Sequence, residues 1–474
     1  MAYVNFTASE LNVVKQRIQQ KYAKIELLNS DFQVVDSLEG VTLNGSTTID
    51  ANSDMRRNAT VKFVITNNDF EVESGGKIWL DKYICLYLGT FSLQENQIIY
   101  TKIGTFVLDA PTYEYDVTNN AVQVNLLDLM CKLSGMRNGY LPGVPVMIPA
   151  GTNIRSAMIS MLALGGFTKY ICEEAPGPLP TDLSFNQGVT IYNILSALRD
   201  IYPNYEIYFD VDGVFHYNKI PTGENEPIQI DDALWEDIVI SENITVDFQN
   251  VKNYIEVYGR THDPEYFADT VTINGNDITL TGEGIAGYVD GVITGFVLQN
   301  NNNISSPRLR INTGNYYNVL LSNMTPAFIP SGDSVYYCVQ YVENNGSPYW
   351  RWLGHLQAFA EAKDENPESP FYINGSVGII RLPLYGGDYD NCVTDELALA
   401  RAKYELYLHS QMQNSLSLSC VSVPWLDVNT LVEYTSQRTG ETAQYIIKNI
   451  SYGFDVDDHM EIKMIKFFPA YPIF

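Results

Sequence analysis

The sequence has 474 residues, 45% hydrophobic and 18% charged, which predicts two to four folded domains with sizeable cores. Lys and Arg number 29 against 56 Asp and Glu, a formal net charge of −27. That balance argues against a broad nucleic-acid-binding face or an anionic-membrane anchor, since both need an excess of cations.

The N-terminus, MAYVNFTASE, has no basic stretch followed by an apolar run, so no signal peptide is expected. No run of about 18 apolar residues predicts a membrane span. The six cysteines are scattered without a C-x-x-C and read as buried, reduced thiols.

Thr7 and Glu10 fit a capping box, followed by the apolar stripe Leu11, Val14, Ile18 and Tyr22. The spacing predicts a helix within residues 1–23, with the stripe docking on another domain or subunit. Residues 24–128 are rich in Val, Ile, Thr and Tyr, with Asn-Gly, Gly-Gly and Asn-Asn breaks, and predict an antiparallel barrel or sandwich. Residues 129–240 predict a small α+β domain. Its expected elements are a short helix ending at Gly135, helices over 153–166 and 190–202, and a hairpin over 206–220 turning at Asp212-Gly213.

Strands resume over 244–260. The polar, turn-rich segment 262–375 reads as a β-rich insertion, with 361–370 as an exposed acidic loop. Residues 394–413 predict a helix capped by Thr394, with Leu397, Tyr404 and Leu408 on one face. Three strand-like runs close the chain.

Little points to chemistry. Five widely spaced histidines form no zinc motif, and no metal or cofactor is expected. The Asp210-Val211-Asp212-Gly213 run does not continue as an EF-hand loop; Pro221 stands at its twelfth position. There is no G-x-S-x-G, P-loop or G-x-G-x-x-G after a strand, and no carboxylate pair stands out as glycosidase-like. Tyr349, Trp350 and Trp352 remain as candidates for a glycan-binding surface; aromatic clusters also build cores and protein interfaces.

The segment VGIIRLPLYGGDYDNCVTDELALARAKYELYLHSQMQ, followed by strands, a proline and YIIKNISY, resembles the end of phage tail-hub proteins. KIGTFVLDAPTYEYDVTNNAVQVNLLDLMCKLSG and TIYNILSALRDIYPNYEIYFDVDGVFHY are similar to earlier parts of that family. The resemblance spans residues 20–262 and 375–474 and implies two tube-like β-barrel domains, 24–128 and 241–261 with 376–474. It further implies a non-enzymatic homotrimeric virion protein, made in the host cytoplasm, that joins the tail tube to a tip, spike or tape-measure protein. DNA would pass through its channel, which the composition suggests is acidic. The stripe Leu11, Val14, Ile18, Tyr22 and the face Leu397, Tyr404, Leu408 are then candidate subunit interfaces. The alternative is a tail-associated protein that binds or degrades cell-wall glycans.

Overall fold

The computed structural model describes residues 6–467, apart from 17–18, 40–41, 66–70, 116, 118–119, 142, 144, 222–231, 286–287, 301–302, 344–345, 411–412 and 456. Thr7 caps helix α1, Ala8–Val14, in a full capping box: Glu10 N donates to Thr7 Oγ1 and Thr7 N to Glu10 Oε2. The helix is shorter than the stripe predicts. Gln16 donates to Phe91 O and accepts from Leu93 N, which ties the chain to a neighbouring hairpin. Tyr22 consequently lies in a strand, and Ile18 falls outside the described residues.

The next seven strands are β1 (Lys21–Leu28), β2 (Val34–Glu39), β3 (Thr42–Asp50), β4 (Arg57–Val64), β5 (Tyr83–Ser92), β6 (Gln97–Tyr115) and β7 (Asn120–Asp128). Five more come from later in the chain: β8 (Val239–Asp247), β9 (Gln413–Cys420), β10 (Leu431–Thr435), β11 (Thr442–Gly453) and β12 (Met460–Lys466). All twelve form one sheet in the order β8-β9-β12-β11-β3-β4-β7-β6-β5-β1-β2, with β10 also paired to β11.

The two β regions meet where Ser46–Asp50 of β3 pairs antiparallel with Asn449–Gly453 of β11. Period-2 alternation puts one face inward: Ile25, Val61 and Leu126 share a single apolar core with Leu416, Ile450 and Ile462. The expected mainly β fold is therefore present, with its two β regions fused edge to edge.

The middle segment carries α2 (Ile154–Leu164), capped by Asn153, and α3 (Ile191–Arg199), capped by Thr190. The expected helix ending at Gly135 is a 3-10 turn, Leu129–Lys132, capped by Asp128. Tyr205–Phe209 pairs with Phe215–Lys219 in the expected hairpin, and Gly213 takes φ +70° at its turn. A short helix α4, Asp232–Ile238, leads into β8; its Trp235 Nε1 donates to Glu433 O.

The strand run read over 244–260 divides in two. Asp247 accepts from the amides of Gln249 and Asn250 and stops β8. Asn253, fully buried, bonds Phe371 O, Gly378 O and Ile380 N and anchors a new strand, Tyr254–Thr261. That strand joins a separate three-stranded sheet with Gln357–Lys363 and Arg381–Tyr385. Helix α5, Asp395–His409, is capped by Thr394 as expected and packs on this sheet. Ile255, Val257, Ala398 and Ala402 share a core with Ile194, Leu198 and Phe215 of the middle segment.

Residues Tyr266–His355 form an eight-stranded sheet with its own core, including Phe296, Leu309, Val339 and Trp350. The 361–370 tract is only partly a loop: Glu361–Lys363 finish a strand and Asp364 is buried. Among the described residues, no helix is long and apolar enough to cross a membrane.

Candidate functional site: the sheet seam and its charged junction

Beside the seam, three distant parts of the chain converge on buried charge. Arg57 opens β4 and Arg56 immediately precedes it; they are 2% and 4% exposed. Arg56 pairs with Glu206 of the middle hairpin, and Arg57 with Asp427 of the C-terminal region. The Arg56 guanidinium lies 3.7 Å from the centroid of the Tyr208 ring. Arg57 Nη1 donates to Phe209 O at 2.7 Å, and its amide donates to Asp128 Oδ2. Glu206 also accepts from the side-chain amides of Asn218 and Asn429, and Lys448 Nζ donates to Asn429 Oδ1 at 2.8 Å.

The carboxylate of Glu206 is thus shared by β4, the middle hairpin and the C-terminal region. Burial opposes the Arg56 charge, but Glu206 and Asp427 outweigh it and hold its pKa above the ordinary value. Burial raises the Asp128 carboxyl, partly offset by the amide of Met130 and by Arg57. Burial also pushes the Lys448 ammonium down to about 8, against the pull of Glu206. Such a network holds three segments in one arrangement, because removing one partner strands a buried charge. It contains no nucleophile–base pair and reads as a positioning device. Among the described residues, no group of three or more His, Cys, Asp or Glu could hold a metal ion.

A second polar contact fixes the eight-stranded sheet to the body. Asp395, in the first turn of α5, accepts from His355 N, His355 Nδ1 and Phe359 N. The Asp395 hydrogen bond raises the His355 pKa, against its burial. Ser322 N donates to Glu396 Oε2 at 3.1 Å, and buried Arg351 donates to Pro180 O of the middle segment.

The residues picked out in the sequence lie apart. Val14 is buried against the large sheet and Leu11 packs on the same core. Leu397 is buried in the core beneath α5. Val14 and Leu397 are buried, and Leu11 half-buried, against their own chain. Tyr404 and Leu408 are half-buried and line a crevice with Lys448, and Tyr22 is half-buried on β1.

Tyr349, Trp350 and Trp352 are core residues too, with Trp350 only 1% exposed and its Nε1 bonded to Leu309 O. The Trp350 and Trp352 rings pack on Tyr341, Tyr337 and Phe296, and Tyr349 is buried, so these three side chains form no exposed sugar-stacking surface. The junction residues were missed. Arg56-Arg57, the sequence's one pair of neighbouring cations, was the available signal in a chain of net charge −27.

The arrangement has relatives. A family model described as "Domain of unknown function (DUF5048)" matches residues 368–471. No curated protein matches the sequence. The crystal structure of the 43 kDa tail protein of prophage MuSo2 from Shewanella oneidensis is similar, with a TM-score of 0.51 at 11% identity, covering 94% of this chain and 98% of that one. That of the tail protein from Neisseria meningitidis MC58 also gives 0.51, at 8% identity, covering 95% and 98%. This chain, over nearly its whole length, has the fold of these two tail proteins.

Proposed function

We propose that this chain is a non-enzymatic structural subunit of a phage tail, a homotrimeric hub that continues the tail tube and connects it to a tip, spike or tape-measure protein. In this reading it is made in the host cytoplasm and resides in the virion, and DNA passes through the ring without specific binding. The observation that carries the reading is the open-ended sheet. Every junction along β8-β9-β12-β11-β3-β4-β7-β6 is antiparallel. Eight strands alternate in direction, so the first and last run opposite ways.

Among the described residues, each end has ladder pairing on one side only over part of its length. β8 has β9 on one side only, and β5 leaves β6 after Val107. Pro111, which has no N–H to donate, sits where the β6 ladder shifts. Apolar side chains stand exposed at both ends: Ile240 and Phe248 (74%) at β8, Tyr115 (83%) and Val117 at β6. A copy rotated about a common axis would set its β6 edge antiparallel against β8, and a closed ring would cover every such edge. The count of three comes from the family resemblance.

Light scattering behind size exclusion tests the reading. A trimer is three times 53.4 kDa, about 160 kDa. A particle of that mass with a central channel in images supports the hub; a chain that stays monomeric at high concentration, with and without tail-tube subunits, overturns it. Replacing Ile244, inside β8, by Pro should lower the trimer fraction by removing edge donors.

A further inference from the structure

The eight-stranded unit is poor in cations. Residues 266–355 contain three arginines and no lysine. Arg351 is buried and bonded to Pro180 O and Gln340 Oε1. The other two, Arg308 and Arg310, lie on the outward face of one strand, Arg308–Ile311, whose Leu309 and Ile311 fill the core. Cross-strand register places Thr272, Thr279 and Arg310 in one row of that face. Asn274, Asp277, Arg308 and Asn318 form the next.

The two arginines are held differently. Arg308 donates Nε and Nη2 to the two carboxylate oxygens of Asp277 at 2.8 and 2.9 Å, so its charge is answered. Arg310 has no carboxylate partner among the described residues. Its Nε donates to Thr279 Oγ1 at 3.1 Å, and its guanidinium carbon lies 4.5 Å from the centroid of the Tyr316 ring. Thr279 Oγ1 is in turn 2.9 Å from the Tyr316 hydroxyl. The three half-buried side chains brace one another. The brace uses Nε and the flat face of the guanidinium, and it leaves the two terminal nitrogens as an oriented pair of donors.

A planar pair of cationic donors matches two oxygens of a carboxylate or a phosphate. Because the brace is already made, little side-chain freedom is lost on binding. Thr272, Asn274 and Asn318 surround it with exposed hydroxyl and amide groups. Two carboxylates, Asp269 and Glu283, stand past Thr281 at the end of the neighbouring strand, where the Glu283 amide donates to Asp269. Together with the chain's net charge of −27 they work against a densely charged polyanion. A single anion flanked by neutral, hydroxyl-bearing units suits the site better.

We propose that Arg310, braced by Thr279 and Tyr316, anchors a binding site for an acidic saccharide, a chain of neutral sugars that carries a carboxylate or phosphate at intervals. Arg310 takes the anion, and Thr272, Asn274 and Asn318 face the flanking sugars. The site goes beyond the tail-hub reading and does not depend on ring assembly, since one chain supplies all of it.

The test is calorimetric titration of the full chain with hyaluronate oligosaccharides, which carry carboxylates, and phosphomannan oligosaccharides, which carry phosphodiesters. Neutral dextran of equal length and polyglutamate are the comparison probes. Binding of either acidic saccharide without dextran supports the site, and the one that binds identifies the anion. Arg310→Met should weaken that binding about tenfold or more, the worth of hydrogen bonds to a charged group, with the melting midpoint unchanged. Arg310→Lys keeps the charge and loses the fork, so it should restore little. Should Arg310→Met lower the midpoint, Arg310→Lys decides the matter, and full binding by it overturns the fork. Failure of both acidic saccharides to bind, equal binding of dextran, tighter binding of polyglutamate, or unchanged affinity in a stable Arg310→Met overturns the proposal. All of these results can be read on monomer or ring, so they leave the tail-hub reading where it stands.

Discussion

The twelve-stranded sheet takes its strands from residues 21–128 and 239–466, whereas the eight-stranded sheet takes all of its own from Tyr266–His355. The first has its decisive pairing between β3 and β11, about four hundred residues apart in sequence, and a buried charge network beside it. The second is built within that one segment around tilted and edge-on aromatic rings and meets the body through Asp395, Glu396 and Arg351. One sheet depends on the whole chain to exist. The other is a local unit held in place by a few polar contacts, so damage to one should spare the other.

The sharpest way to break this comparison is Arg56→Met. It leaves Glu206 buried without its cation and should cost about 3–5 kcal/mol in denaturant unfolding. Hydrogen exchange in β3 and β11 should accelerate, while Val339 and Trp350 keep their protection. The double variant Arg56→Met with Glu206→Leu should recover much of the loss. Equal destabilisation of both sheets would contradict the division.

Asp395→Asn attacks the other side. It removes one charged acceptor of three bonds and should cost about 1–3 kcal/mol. Exchange should rise at residues 355–359 and around Ser322, with the seam unchanged.

Lys448→Met probes the junction in the opposite sense. The folded pKa of about 8 lies below the ordinary Lys value of 10.5, so the folded state disfavours this proton. The penalty is fully present below pH 8 and fades as pH rises toward the unfolded value. The variant should therefore gain roughly 2 kcal/mol at pH 7, about 3 kcal/mol from the relieved penalty less the lost bond to Asn429, and lose that advantage near pH 10.5.

The smallest effect belongs to His355. Its folded pKa is raised, so its contribution is complete below its unfolded value of 6.5 and is lost as pH rises through the folded one. With a partly exposed ring the effect should be well under about 1 kcal/mol. His355→Gln should abolish the difference in exchange at Phe359 between acid and alkaline pH.

Local structure was the legible part of this sequence. The caps at Thr7, Asn153, Thr190 and Thr394 are short-range hydrogen-bond patterns, and all four open helices. The Asp-Gly hairpin follows from backbone geometry at one residue. What failed depended on distant partners. The stripe from Leu11 to Tyr22 is helical in period, yet Gln16 binds a hairpin 75 to 77 residues away, where the helix has already ended. Tyr349 to Trp352 read as a surface because the run interleaves a cation; the strand is buried on both faces, and Arg351 finds Pro180 O only in the folded chain. The β3–β11 register leaves no mark in either segment alone, since period-2 alternation is compatible with many neighbours.

The seam also sets a clock on synthesis. β3 leaves the ribosome with one edge bare, and its partner β11 is made about four hundred residues later. At about 5–20 residues per second that interval is roughly 20–80 s. Throughout it the nascent chain carries an open strand template beside Arg56 and Arg57, whose carboxylate partners at 206 and 427 emerge at different points within it. Slower elongation or early termination would lengthen the exposure, and fragments ending before residue 442 would keep the bare edge for good.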